Sequence, residues 1–202
     1  MIVNARTPGK LRLLILDLTR NTRGFEHQTS DDIASSIKKG GVILASDTPL
    51  HLETISDYVQ ALKTYNANFN ALLLFAHGRI DPKDGNVSEV NGPVGISEWY
   101  SLGEISDNLK DKFVALCVCY GFCEDAHAAF IDNGAMALTL LAPVESLSAR
   151  EAQSFFPCFF AELNNVSITQ IDPNEVRTAM NNFNSQAGNK MAIYSDGLSS
   201  SG

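Results

Sequence analysis

Short apolar runs, each separated from the next by a more polar segment, recur along the whole chain. Runs of four to eight apolar residues that close on a turn signal are typical of strands buried on both faces of a sheet. Six stretches fit this pattern and are predicted as strands: 11–18, 41–46, 70–76, 112–118, 135–141 and 191–194. Strands of this kind belong to parallel sheets covered by helices.

Segments with a helical period lie between these runs. The predicted helices are 31–39 with Ser30 as its N-cap, a helix from Pro49 to about Tyr65, 103–110, 123–132, 148–163, and one that begins at Asp172 and Pro173. Because strands and helices alternate, the sequence predicts an α/β fold, a three-layer αβα sandwich on a mostly parallel sheet of about six strands. No repeat or boundary divides the chain, so residues 1–202 are predicted to form a single domain.

One region breaks the alternation. The segment 79–97 is rich in Gly, Pro and Asp, has no helical period, and carries turn signals at Asp84-Gly85 and Asn91-Gly92. It is predicted to be a loop or small hairpin over the functional site, and the most mobile part of the chain.

Two of the predicted strands end at a reactive side chain beside glycine. LLLFAHG delivers His77 and then Gly78, and FVALCVCYG delivers Cys119 and then Gly121. Sites in parallel sheets form beyond the carboxyl ends of the strands. His77 and Cys119 are 42 residues apart, which is enough for one crossover connection, so neighbouring strands would bring them side by side. The pattern favours a catalytic Cys/His pair.

The turn after Cys119 suits nucleophilic chemistry. A strand-to-helix turn has free backbone amides that favour negative charge, and a thiol becomes a useful nucleophile where its anion is stabilised. Gly121 lets the backbone bend there, and the Gly78 amide has no side chain to block a substrate carbonyl. These amides are predicted to form an oxyanion hole. The alternative is that a strand-end cysteine only packs in the core.

The other thiols have simpler interpretations. Cys117 and Cys123 are predicted to be packing residues, and Cys158, on an apolar helix face, a core residue. The set Cys117, Cys119, Cys123 and His127 has the spacing C-x-C-x3-C-x3-H, which is not a standard zinc pattern. No metal or other cofactor is predicted.

Composition and charge limit the classes of molecule that the chain could bind. The chain has 202 residues, a formal net charge of -8 and a pI near 4.9, which argues against nucleic acid or an anionic membrane as partner but leaves a basic or neutral peptide open. No apolar run approaches the ~20 residues of a membrane helix, and MIVNARTPGK lacks the apolar core of a secretory signal. A cytoplasmic location is therefore predicted, with the four cysteines as thiols.

Residues 70–197 resemble the caspase-like cysteine peptidases, the clan of caspases, gingipains, separases and CHAT domains. LLLFAHG and VALCVCYG are similar to the clan's apolar blocks that end in His-Gly and Cys-x-Gly. GAMALTLLAPVESLSAREAQSFFPCFFAEL and MAIYSDG resemble a strand, an aromatic-rich helix and the closing strand of CHAT domains. The resemblance implies a caspase-like fold, closest to a CHAT domain, with His77 as general acid/base, Cys119 as nucleophile, and the Gly78 and Cys119 amides as oxyanion hole.

The residues of the specificity pocket are harder to assign. Cys117 occupies the position at which caspases carry a pocket Gln, so cleavage after aspartate is not implied. The loops that follow the strands offer Asp17, Asp125 and Glu145 as substrate-binding residues, although two arginines after the first strand oppose them. These acids favour a basic P1 residue, the residue on the amino side of the cleaved bond.

The sequence therefore predicts a cysteine endopeptidase that cleaves a protein or peptide substrate in regulated proteolysis. CHAT domains form parts of larger regulatory proteins, which implies a regulatory protein partner for this chain. Two alternatives stay open. One is a catalytically inactive caspase-fold binding or regulatory protein, and the other is a thiol redox or metal protein that uses the cysteines of 117–123.

Overall fold

The structure, a computed structural model, describes residues 11–19, 26–80, 87–91, 99–132, 137–165 and 171–195. The strands in these ranges are β1 (Arg12–Asp17), β2 (Ile43–Leu44), β3 (Leu50–His51), β4 (Ala71–Phe75), β5 (Gly78–Ile80), β6 (Val87–Asn91), β7 (Trp99–Ser101), β8 (Phe113–Cys117), β9 (Thr139–Pro143) and β10 (Met191–Ser195). The α-helices are α1 (Glu26–Lys39), α2 (Ile55–Tyr65), α3 (Leu102–Ser106), α4 (Glu124–His127), α5 (Ala149–Asn165) and α6 (Pro173–Phe183). A π-helical turn, Ala128–Asp132, continues α4, and a 3-10 turn, Asn184–Ala187, continues α6.

Seven strands form one sheet in the order β10-β9-β8-β4-β1-β2, with β3 also paired to β1. All pairs in this sheet are parallel except β9 with β10. Each residue of β4 faces one residue of β1 on one side and one of β8 on the other, so these three central strands end level with each other. The predicted mostly parallel sheet is confirmed, with one more strand than expected.

Helices cover both faces of this sheet. Successive strand residues point to opposite faces. Leu13, Ile15 and Leu73 are buried in a core that includes α1, α5 and α6, whereas Leu14 and Leu72 are buried in a second core that includes α2, α3 and α4. The predicted three-layer αβα sandwich is therefore confirmed.

Helix α5 carries the largest share of the first core. Its apolar face, predicted from spacing, is buried, and the Phe155 and Phe159 rings stack with their centroids 5.3 Å apart. The helix begins with a reciprocal cap: the Ser148 amide donates to the Glu151 carboxylate at 2.7 Å, and the Glu151 amide donates to the Ser148 hydroxyl at 3.3 Å. In the part of the chain that the structure describes, no helix is long and apolar enough to cross a membrane.

Two predicted helix starts are wrong. Helix α1 begins at Glu26, so Ser30 lies inside it, and the Ser30 hydroxyl donates to Asp17 instead of capping the helix. Leu50 belongs to β3 and not to a helix, because Thr54 is the N-cap of α2 and accepts the Asp57 amide at 3.1 Å. The start predicted at Asp172 and Pro173 is confirmed for α6.

The segment after His77 is more regular than predicted. Strands β5, β6 and β7 form a separate antiparallel sheet in that order, so the predicted hairpin is present and is extended by a third strand. Residues 81–86 and 92–98 lie outside the described part of the chain. The predicted mobility of 79–97 stays a prediction.

Candidate active site

The carboxyl ends of β4 and β8 form one edge of the sheet. Phe75 faces Cys117 in the register of the two strands, and the Ala76 amide continues the ladder by donating to the Cys117 carbonyl at 3.4 Å. His77 and Cys119 each follow this pair by two residues, just past the ends of these adjacent strands. The structure thus brings the two predicted catalytic residues to equivalent places at one edge, with His77 exposed and Cys119 half-buried.

A tight turn holds Cys119 at the end of β8. The Gly121 amide donates to the Val118 carbonyl at 3.0 Å, which makes Cys119 and Tyr120 the two central residues of the turn. Tyr120 has a φ of 58°, in the left-handed region that this turn position requires. A Cβ atom on Gly121 would lie 2.9 Å from the Val118 carbonyl oxygen, so only glycine fits there. The Cys-x-Gly spacing therefore has a steric reason.

The loop after β9 is bonded to this turn through its backbone. The Tyr120 amide donates to the Glu145 carbonyl at 3.1 Å, and the Phe122 amide donates to the Pro143 carbonyl at 3.0 Å. These two bonds fix the loop beside the end of β8. Neighbouring parallel strands thus contribute adjoining loops to the same edge, as expected for this type of sheet.

The same loop supplies two polar neighbours of the candidate nucleophile. The Cys119 Sγ atom lies 3.7 Å from the Ser146 hydroxyl and 3.9 Å from the Leu147 carbonyl oxygen. The sequence analysis did not predict Ser146 and Leu147 as site residues. Their position could have indicated it, because they follow the predicted strand that comes next in the chain after the Cys119 strand.

Most backbone amides of the turn are already bonded. Tyr120, Gly121 and Phe122 all donate, whereas among the described residues no backbone carbonyl accepts from the Cys119 amide. Gly78 is the first residue of β5 and pairs with Val90. The oxyanion-hole role of the Gly78 and Cys119 amides stays a prediction.

The other cysteines differ from Cys119 in their surroundings. Cys117 is half-buried, and burial raises the pKa of its thiol, with the charges of Cys119 and Asp17 raising it further. Cys123 is buried in the second core and precedes α4. Cys158 is half-buried, so its predicted core position is only partly attained. The structure records all four as free thiols.

The three predicted substrate-binding acids have different exposures. Asp125, in the first turn of α4, and Glu145, in the loop after β9, are exposed. Asp17, at the end of β1, is 0% exposed. Two of the three acids are therefore accessible beside the Cys119 turn, and their role in substrate binding stays a prediction.

Asp17 takes part in a buried polar network. It accepts the Thr19 amide at 2.8 Å and also the hydroxyls of Thr19 and Ser30. The Nδ1 atom of His51 lies 3.2 Å from Asp17, and its Nε2 atom lies 3.2 Å from Asp31. This network joins β1, β3 and α1 at the carboxyl edge of the sheet, a connection that the sequence did not indicate.

A lysine and a glutamate connect the β9 loop to β10 and α5. The Lys190 Nζ atom lies 2.9 Å from Glu151 and 2.9 Å from the Ser146 carbonyl oxygen. Hydrogen bonds from Lys190 and Ser148 lower the pKa of Glu151 to about 2, and the bond with Glu151 raises the pKa of Lys190. The carboxylate and the ammonium are thus both charged at neutral pH.

The described residues offer no donor set for a metal ion. No group of three or more His, Cys, Asp and Glu side chains among them is placed to hold a metal ion. His127, the histidine of the alternative metal set, instead packs on the Tyr194 ring at 4.6 Å and lies 3.3 Å from Asp132.

Known protein families and curated proteins give no match to the sequence. Solved structures match in fold. One of them is a secreted C11 cysteine protease from Bacteroides thetaiotaomicron called iotapain, which is 10% identical with a TM-score of 0.54 over 93% of this chain. This chain spans 66% of the length of that protein. The likeness shows that the chain has the caspase-like α/β fold, while the predicted closeness to CHAT domains stays a prediction.

Proposed function

We propose that the chain is a cysteine peptidase in which Cys119 is the nucleophile and His77 the general acid/base. The observation that supports this proposal is the register of β4 and β8, because His77 and Cys119 each follow by two residues the Phe75–Cys117 pair that ends these adjacent strands. The fold shared with a C11 cysteine protease supports the same class of reaction.

The proposed reaction has two stages. The Cys119 thiolate attacks the peptide carbonyl carbon, a C–S bond forms, and the carbonyl electrons move to oxygen, where the Gly78 and Cys119 amides stabilise the oxyanion. His77 donates a proton to the leaving nitrogen as the C–N bond breaks. In the second stage His77 removes a proton from water, the hydroxide attacks the thioester, and the Cys119 thiolate leaves.

The turn would prepare Cys119 for this attack. Its backbone is fixed by the left-handed Tyr120, the close approach of Gly121 to Val118, and the bonds to the β9 loop. A nucleophile that is already held near its reactive geometry avoids an ordering cost in the transition state. The Cys119 amide, which donates to no backbone carbonyl in the described residues, is available for the oxyanion.

The proposed substrate is a protein or peptide with a basic P1 residue. Glu145, in the loop after β9, and Asp125, in the first turn of α4, are exposed, and the chain carries a net charge of -8. A cationic side chain would be attracted to this surface. Asp17 is fully buried, so its proposed contribution is structural: its bonds to Ser30 and His51 hold α1 and β3 against β1.

The proposal places this peptidase in regulated proteolysis in the cytoplasm, under control of a protein partner. Four free thiols fit a reducing compartment. The partner is proposed from the resemblance to CHAT domains, which belong to larger regulatory proteins.

A positional library of fluorogenic peptides tests the function. The wild-type chain is expected to cleave after Lys or Arg, and Cys119→Ala is expected to cleave none of the peptides. Cleavage after Asp would contradict the proposed specificity. A folded wild-type chain that cleaves nothing would instead support the non-catalytic binding protein.

A further inference from the structure

Lys190 extends from the start of β10 to the loop that lines Cys119. Its Nζ atom lies 2.9 Å from the Ser146 carbonyl oxygen, and its own carbonyl accepts the Val144 amide at 2.7 Å. One residue thus bonds the loop at two places through two different groups. The Lys190 side chain is only partly exposed.

Glu151 extends this link into α5. Its Oε1 atom lies 2.9 Å from Lys190, while its Oε2 atom accepts both the amide and the hydroxyl of Ser148 at 2.7 Å. The same carboxylate therefore caps the helix and anchors the lysine. Loop residues 144–148 are held at Val144, Ser146 and Ser148.

The residues that contact the candidate nucleophile lie between these anchor points. Ser146 and Leu147 are the loop residues within 4 Å of the Cys119 sulfur. The ammonium also shares the surroundings of that sulfur: the pKa of Lys190 is raised first by Glu151, and then by the charges of Glu145 and Cys119. The Lys190 side chain thus holds the loop residues that contact the Cys119 sulfur.

We propose that Lys190 is a positioning residue for Cys119. It fixes the loop residues Ser146 and Leu147 beside the thiol. This role rests on the proposed peptidase function. Lys190 acts through the loop and not through contact with the substrate.

Lys190→Met tests the proposal, because methionine keeps an apolar side chain of similar length but removes the charge and the donors. Lys190→Arg is the conservative variant, and Lys63→Met, an exposed lysine at the end of α2, is the matched control. Two rates are measured: alkylation of Cys119 by iodoacetamide, located by mass spectrometry, and peptide hydrolysis, resolved into kcat and KM.

Lys190→Met is expected to slow alkylation and to lower kcat, each by about tenfold, with KM changed by less than about twofold. Lys190→Arg is expected to recover most of both rates, and Lys63→Met to match the wild type. If Lys190→Met does not fold, Glu151→Gln removes the ion pair that anchors the Lys190 side chain, and it is expected to lower both rates in the same direction.

Wild-type rates in Lys190→Met, or no recovery in Lys190→Arg, would overturn the proposal. A failure of the proposed peptidase function would give a different result: the wild type would be alkylated at Cys119 but would hydrolyse no peptide. The alkylation rates alone would then decide whether Lys190 positions the thiol.

Discussion

Phe75 of β4 and Cys117 of β8 are direct register partners at the carboxyl edge of the sheet. His77 and Cys119 each lie two residues beyond this pair, just past the ends of β4 and β8. Strand order alone thus brings the ends of two segments that lie 42 positions apart in sequence to the same edge of the sheet. The candidate site is a consequence of the parallel sheet, and the turn and loop around Cys119 refine it.

The turn can be tested with Gly121→Ala. A Cβ atom there would meet the Val118 carbonyl at 2.9 Å, and backbone cannot move aside cheaply. The variant is expected to lose about 1–3 kcal/mol in the free energy of unfolding and most of its peptidase activity. Urea unfolding and peptide hydrolysis measure the two effects.

Tyr120→Gly is the control for this experiment, because a φ of 58° suits glycine and the turn should persist. Gly121→Ala with both wild-type stability and wild-type activity would show that the turn does not need glycine.

Much of the fold was predictable from local pattern. Buried strands such as β4 and β8 are continuous apolar runs, and α5 and α6 have clear periods or caps. The short strand β3 was missed because its pairing with β1 is a tertiary contact that two residues cannot signal. The predicted fifth strand, 135–141, begins outside the described residues; within them the strand is Thr139–Pro143, and it extends two residues further than predicted because it pairs with β10.

The site was predictable only in part. His77 and Cys119 carry a strand-end pattern that sequence shows directly. Ser146 and Lys190 have no such pattern in the sequence. Their contacts depend on how the loop after β9 packs against the end of β8 and on the antiparallel pairing of β10 with β9. Asp17 was predicted from its loop position, but its complete burial depends on β3 and α1.

The three clustered thiols are expected to be unequal. Cys117→Ala should keep peptide cleavage, since burial raises the pKa of that thiol and disfavours its thiolate. Cys123→Ala should also keep cleavage and lose about 1 kcal/mol of stability, because its side chain is buried in the second core. Hydrolysis rates and urea unfolding of both variants measure this, with Cys158→Ala on α5 as the control. Loss of cleavage in a well-folded Cys117→Ala would contradict the assignment.

The Glu151 ion pair gives a pH dependence with a defined sign. The folded-state pKa of Glu151 is lowered from 4.5 to about 2, so the carboxylate stabilises the fold above pH 4.5 and this contribution is lost as the pH falls to about 2. The difference in unfolding free energy between wild type and Glu151→Gln should therefore be constant above about pH 5 and shrink toward pH 2. In a Lys190→Met background the difference should vary less with pH, because the main cause of the shift is gone. A difference that grows on acidification would contradict the ion pair.

Asp17→Asn separates a structural role from substrate binding. Asp17 is fully buried and accepts hydrogen bonds from Thr19 and Ser30, so the variant is expected to lose about 1–3 kcal/mol of stability while keeping the preference for a basic P1 residue. The exposed Glu145→Gln is the matched variant, and it should weaken that preference with little change in stability. Unchanged stability with an altered P1 preference in Asp17→Asn would indicate direct contact with the substrate.

The most direct test of the Cys119 and His77 assignment is covalent labelling by a peptide with an activated ketone, with the adduct located by mass spectrometry. The thiolate displaces the leaving group of the ketone reagent, so the label marks the residue that acts as nucleophile. The expected result is one adduct on Cys119, none in Cys119→Ala, and no peptide turnover in His77→Ala although its fold is intact. A label on Cys117 or Cys123, or full peptide cleavage by Cys119→Ala, would contradict the peptidase assignment.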